Sequence, residues 1–434
     1  MSNTKTLHIG MSLAPTWLSG EAWRRPDSNI EGLLSSDYYL DIAKRAEAVK
    51  LDFVFRPDTL FLHPKMLESG PGFGSLDPTI LLAAIARETS HIGLLSTVST
   101  TFYPPYVVAR QIQSLNWLSN GRAGWNIVTA LDGHENFGLP EMPTPEERYA
   151  RAAEFTDVVR HLWQSFPEAA IRCDRAAGIG TDPSLIRAID HEGGCFSVKG
   201  PLNLPSFDKA PVPLVQAGAS PIGRDFAASI ADAIFAATPD KEAAIELRKD
   251  LRTRGEAHGR AADAVKVLPG LSLYLGNTRG QARDLFAATH AGAERARKLA
   301  TILEMTGLDL RDWPDDRSVT AADLSAPLEY VRSRTHSELL RRLIVREEPK
   351  VADLLMRPEV MGSSHWQVIG TVDDAVAEIS DWAASRAMDG FIAVPGGSVE
   401  CMHRTLDEVI PRLSEAGLFR KDYCGTTFAD HLAQ

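Results

Sequence analysis

Residues 216–231, QAGASPIGRDFAASIA, end an apolar run in a side-chain amide, turn through small residues, and open an amphipathic segment with Ser220-Pro221. The first N–H groups of a helix have no partner within it, so such a start attracts anions. Gly218 and Ala219 leave room for a phosphate to approach the backbone, the Ser220 hydroxyl can donate to it, and Arg224 follows one turn on. Two readings are open, because a serine ahead of a proline also caps a helix without any ligand. Asn126, in GRAGWNIVTA, interrupts a stretch that otherwise reads as a buried strand. A buried amide without partners costs about 1–3 kcal/mol, so backbone groups or a ligand must meet it. Thr97 and Ser99 alternate so that both hydroxyls share one strand face, and with Asn126 they suit a heterocycle with donors and acceptors along one edge. Asp58, in FVFRPDTL, precedes Phe61 and His63; it is a cofactor contact, a partner of Arg56 or a solvated loop carboxylate. Tyr149, in PTPEERYARAAEF, can reach the same anion as Ser220 or simply pack.

Other chemistries lack their residues. The chain has no GxxxxGK[ST] loop, HExxH, GxSxG or CxxC, so phosphate-loop, zincin, serine-elbow and dithiol mechanisms have no carrier. The first strand candidate holds a single histidine, His8, where a metal-hydrolase barrel would carry an HxH pair, and no metal site is expected. Cys173, Cys195, Cys401 and Cys424 are spaced as free thiols. No catalytic side chain is assigned.

These residues must be positioned by elements, and short β-rich runs alternate with amphipathic segments in the manner of βαβ units. Eight strand candidates emerge: 7–13, 52–55, 92–99, 123–129, 212–217, 232–237, 265–273 and 390–394. Eight closes a barrel, and the fold class expected is α/β, a (β/α)8 TIM barrel with helical insertions. Asp77-Pro78 and Ser220-Pro221 mark helix starts, and Gly121 a helix end. A minimal barrel takes about 250 residues; this chain has 434. The excess is assigned to insertions at about 130–211 and 277–388 within a single domain spanning 1–434. Active sites of this fold lie at the carboxyl ends of the strands, where Trp17, Asp58, Thr97, Ser99, Asn126 and Ser220 all fall.

Apolar content of 44% and charged content of 24% are ordinary for a globular protein. The net charge of −11, from 46 basic and 57 acidic residues, argues against a nucleic-acid or anionic-membrane surface. No apolar run reaches the length of a membrane span and the first residues lack a secretory signal, so the expected compartment is the cytoplasm.

SNGRAGWNIVTA with GLLSTVSTTFYPPYVVARQIQSLNWLSNG before it, GPLNLPSFDKAPVPLVQAGASPIGRDFAA, and the terminal RLSEAGLFRKDYCGTTFADHL resemble the flavin-dependent monooxygenases of the bacterial luciferase-like superfamily. The likeness is greatest to the branch of nitrilotriacetate, long-chain alkane and dibenzothiophene sulfone monooxygenases, and runs from about residue 5 to about residue 432. It implies reduced FMN bound at the carboxyl end of the barrel, supplied by a separate NAD(P)H-dependent flavin reductase, with O2 as co-substrate. It further implies a small organic substrate, organosulfur or nitrogen-containing, and a homodimer or homotetramer. By the same resemblance Asp58, Thr97 or Ser99, Asn126, Tyr149, Gly218, Ala219 and Ser220 contact the flavin, with Tyr149 and Ser220 at its phosphate. Trp17, Phe61, His63 and Trp125 are candidate substrate-pocket walls, with Phe102 and Tyr103 beside them. Two positions depart from the family: Pro145 stands where a histidine is frequent, and Ala130 replaces the serine that commonly ends the fourth strand. Two alternatives remain beside this one, a deazaflavin-dependent oxidoreductase of the same fold and a non-catalytic barrel that binds a phosphorylated ligand.

Overall fold

Eight parallel strands close into a barrel in the computed structural model, which describes residues 6–62, 64–67, 76–218, 220–292, 295–328, 331, 333–362 and 364–434. In chain order the barrel strands are His8–Ser12, Phe53–Arg56, Gly93–Ser99, Ala123–Val128, Leu214–Gln216, Ala233–Ala236, Lys266–Leu275 and Gly390–Ala393. Each pairs with the next, except that the seventh reaches the eighth across the long second insertion, and the eighth pairs back onto the first. All eight expected strands are present, with ends displaced by a few residues.

Side-chain alternation sorts the strand residues into two layers. Ile9, Met11, Val54, Leu94, Leu271 and Phe391 face the surrounding helices. Phe55, Leu95, Val215, Ala233, Leu268 and Ile392 meet on the barrel axis. Phe428, at the head of the short C-terminal helix Phe428–Leu432, plugs the amino end of the barrel. Gly93 and Gly124 make room for it: a Cβ on Gly124 would lie 2.4 Å from the Phe428 ring, and one on Gly93 2.7 Å away. Around this plug Asp52 accepts from the Ile9 N–H at 2.7 Å and from Arg420 Nη2 at 2.6 Å. The barrel is therefore closed at one end, and only its carboxyl end is available to a ligand.

Helix starts follow the local signals. Asp77 accepts from the Ile80 N–H at 2.9 Å ahead of helix α2 (Pro78–Glu88), and Ser220 accepts from the Gly223 N–H at 3.2 Å ahead of Pro221–Ile230. Gly121 takes φ +89° after Pro105–Leu118, where a side chain would be strained.

The segment between strands four and five holds Pro145–Gln164 and two small antiparallel hairpins. The segment between strands seven and eight has an apolar core of its own, with Ile302, Leu340, Leu343, Ile344 and Val351 at its centre. That segment is not only helical: Trp366–Gly370 forms a ninth parallel strand against Leu271–Leu275. It occupies the edge of strand seven that strand six leaves free after Ala236, so strand seven is longer than its neighbours. No helix among the described residues is long and apolar enough to cross a membrane.

The plug leads to a stability prediction. Phe428→Ala empties the amino end of the barrel and is expected to cost about 3–5 kcal/mol, read as a lower urea midpoint at unchanged slope.

Candidate active site

Thr97 and Asn126 lie directly opposite one another on strands three and four, both facing the barrel axis and both buried. Asn126 Nδ2 donates to Thr97 Oγ1 at 2.9 Å. Asn126 Oδ1 is buried with no hydrogen-bond partner. The hydroxyl thus fixes the amide so that its carbonyl oxygen is left to face the interior. Ser99, two residues on along the same face, accepts from the Thr101 N–H at 3.1 Å and shapes the rim. Ser96, on the opposite face, bonds Thr79 of helix α2 at 2.9 Å, which shows the alternation directly.

The adjoining strand ends in the second group. Gln216 Oε1 accepts from the Gly218 N–H at 2.7 Å, and its Nε2 reaches the Tyr149 hydroxyl at 3.5 Å. Tyr149 comes from the first turns of Pro145–Gln164, where Thr144 and Glu147 form a reciprocal cap and Pro145 takes the first helical position. The tyrosine ring packs edge-on to Phe226 and its hydroxyl lies over the start of Pro221–Ile230. A Cβ on Gly218 would come within 2.4 Å of that oxygen, and one on Gly223 within 2.6 Å. Tyr149, Gly218 and Ser220 therefore converge at a helix start whose Gly223 N–H is capped by Ser220 Oγ, with the positive end of the helix dipole beside them. Arg224, one turn on, pairs through Nη1 with Asp250 of the adjoining helix at 3.2 Å. Ala219 and His63 lie outside the described residues.

Asp58, half-buried in the loop after strand two, acts on two neighbours. Burial lowers the Arg56 pKa while the nearby Tyr39 and Asp58 oppose that effect, and burial followed by Asp77 and Asp58 raises that of Tyr103. Arg56 faces the helices and donates to the Leu13 carbonyl at 2.5 Å. Asn136 ties the same loop to the first insertion by donating to Leu60 O at 2.9 Å, with Phe61 beside Gly133.

Two expected pocket walls are corrected. Trp125 points to the helical layer, its Nε1 donating to Val98 O at 3.1 Å and its ring wedged against Phe155 and Trp163. Strand alternation forces this, since its neighbour Asn126 faces inward. Trp17 has no exposed surface; its Nε1 donates to Tyr38 at 2.8 Å within the helical-layer core. Phe102 is at the rim, stacked on Phe137 at 4.4 Å between ring centroids.

Two histidines escaped the sequence reading. His290 meets the Tyr274 hydroxyl at 3.1 Å, and burial aided by Lys298 pushes its pKa down to about 4. His365, immediately ahead of the ninth strand, is likewise pushed down to about 4 by burial and the charge of His336. Neither follows a motif, and the only signal for His365 was the alternation in HWQVIG.

The closed (β/α)8 barrel thus gathers Tyr149, Gly218, Ser220 and the unmet Asn126 amide at its one open end. Residues 17–387 match the family described as luciferase-like monooxygenase. The chain is 33% identical over 421 residues to dibenzothiophene-sulfone monooxygenase of Rhodococcus erythropolis, covering 95% of this chain and 92% of that one. It is 32% identical over 451 residues to nitrilotriacetate monooxygenase component A of Aminobacter aminovorans, covering 100% and 97%. The structure of a riboflavin lyase with modified FMN and riboflavin superposes with a TM-score of 0.83 at 28% identity, over 99% of this chain and 96% of that one. The chain belongs to the luciferase-like monooxygenase family and is a flavin-dependent monooxygenase.

The buried histidines set a pH dependence. Unfolded, each binds a proton near its ordinary value of 6.5; folded, only near 4. The unfolded state therefore holds more protons between these values, and stability is full above about pH 6.5 and falls as pH drops toward 4. His290→Gln is expected to flatten that fall by up to about one proton, measured as the slope of urea stability between pH 4.5 and 7.5.

Proposed function

We propose that this chain is the oxygenase component of a two-component system: it takes up reduced FMN from a separate NAD(P)H:flavin reductase and puts one atom of O2 into a small organic substrate. The observation that carries this reading is the adjacency of the Tyr149–Gly218–Ser220 seat and the orphaned Asn126 carbonyl at one end of one barrel. A phosphate answers the first and the N–H edge of a flavin ring answers the second. The FMN in the similar riboflavin lyase supports the choice of flavin. The designation of the nitrilotriacetate enzyme as component A supports a partner that supplies it.

When bound, reduced flavin supplies two electrons and activates O2, so that one oxygen atom enters the substrate and the other leaves as water. The chain's own residues do the rest. Ser220 Oγ and the Ile222 N–H at the start of its helix would hold the phosphate, with the Tyr149 hydroxyl beside them. Gly218, having no side chain, lets the Tyr149 hydroxyl approach the backbone there. Asn126, held by Thr97, orients the ring, and Asp58 and Ser99 line its edge. The apolar layer of Phe55, Leu95, Val215 and Ile392 keeps water from below. Ala130 offers only its N–H, already bonded to Thr101 Oγ1 at 3.2 Å, so no side chain there handles oxygen. Relatives acting on a sulfone and on an amino polycarboxylate support an organosulfur or nitrogen-containing substrate. Assembly into a homodimer or homotetramer belongs to the same reading, supported by the exposed apolar side chains Ile80, Val107 and Leu118 between α2 and its neighbouring helix.

Ser220→Ala and Tyr149→Phe are each expected to weaken FMN binding about 10-fold, the worth of one hydrogen bond to a charged group, by fluorescence titration. Unchanged affinity in both removes the seat. With dibenzothiophene sulfone as probe, consumption is expected only when protein, reductase, NADH, FMN and O2 are all present. Turnover under nitrogen contradicts oxygenation and favours hydride transfer without oxygen.

A further inference from the structure

His365 enters the barrel where strand six stops and the ninth strand takes over its edge. Its ring lies flat on Gly270, where a Cβ would come 2.4 Å from Nδ1 and 2.7 Å from Cε1. Gly270 pairs with Ile392 and shares the inward face of strand seven with Leu268, so the imidazole projects into the barrel rather than into the helices. There it packs on Phe235 at 5.1 Å between centroids, and Phe235 in turn meets Phe55 edge-on at 5.5 Å across the axis. Phe235 and the imidazole thus continue the aromatic surface of Phe55 upward from the apolar layer. Nδ1 is buried and has no hydrogen-bond partner. An unmet buried ring nitrogen beside an open barrel end is a cost that a bound donor or acceptor offsets.

The neighbours narrow that ligand. Besides Phe235, the described inward-facing strand residues at or above this level are Ser12, Thr97, Ser99, Asn126, Val128, Ser272 and Tyr274, with no lysine or arginine among them. A polycarboxylate brought onto this surface would lose its hydration with no cation among the described inward-facing strand residues to replace it. An apolar body with one uncharged oxygen acceptor would cover the phenylalanines and meet the imidazole.

We propose that His365 is the polar contact of the substrate pocket, hydrogen-bonding the oxygen of an uncharged substrate, of the sulfone or sulfoxide kind, that lies on Phe55 and Phe235. This rests on the flavin reading above, with the cofactor held at Asn126 of strand four and at Ser220 after strand five, beside the strand that carries Phe235. His365 is a substrate-contacting residue and not part of the flavin seat.

The test is equilibrium binding of dibenzothiophene sulfone to the full-length protein, with and without oxidised FMN, by calorimetry. Wild type, His365→Val and His365→Asn are compared, and the FMN affinity of each is measured separately. His365→Val is expected to weaken sulfone binding about 10-fold with FMN affinity unchanged. His365→Asn, which keeps a donor, is expected to recover part of the loss. In turnover the same loss is expected in KM more than in kcat. Nitrilotriacetate is expected not to bind. No sulfone binding to wild type, equal sulfone affinity in His365→Val, or nitrilotriacetate binding more tightly than the sulfone overturns the proposal. Failure of wild type to bind FMN overturns the flavin reading instead, and the flavin-free titration still reads the role of His365.

Discussion

A single side-chain amide, held at one end and unmet at the other, organises the barrel's open face. Asn126 gives its N–H to Thr97 and leaves its carbonyl oxygen buried and unpaired. In a protein interior that arrangement costs about 1–3 kcal/mol unless something supplies a donor. The cost is borne at the one place where the flavin reading puts a ring with an N–H edge. In the neighbouring Tyr149–Gly218–Ser220 cluster two glycines let the tyrosine hydroxyl approach a helix start whose partial positive charge suits an anion.

The remainder of the fold makes such a site possible by keeping its floor dry and its far end shut. Phe428 fills the amino end, and the network of Asp52 with Ile9 and Arg420 locks that plug in place. Above it one apolar layer crosses the axis, topped by Phe235 and His365. The hydrogen-bonding groups of the mouth therefore act in a region of low dielectric, where an oriented dipole is worth more than it would be in water.

Sequence patterning conveyed the barrel well because its signals are local. Eight apolar runs, proline-led helix starts at Pro78 and Pro221, and Gly121 at a helix end each depend on a few adjacent residues. The inward alternation of Thr97, Ser99 and Asn126 was legible for the same reason. Alternation also contained the answer for Trp125, which must face outward if Asn126 faces inward; its bulk and position next to the amide suggested the opposite. Sequence spacing puts Arg224 one turn from Ser220 but does not reveal Asp250 on the adjoining helix as a partner. His365 was invisible for a deeper reason. Its place depends on the ninth strand docking on the far end of strand seven, a contact between segments about a hundred residues apart that no local pattern encodes.

The account stands or falls on what meets the Asn126 carbonyl. A crystal structure of the protein soaked with FMN tests this most directly. The account predicts a ring N–H of the flavin within hydrogen-bonding distance of Asn126 Oδ1, the Thr97 bond intact, and the phosphate between Ser220 and the Tyr149 hydroxyl. FMN found elsewhere, or an ordered water satisfying Asn126 while the flavin lies apart from it, contradicts the account.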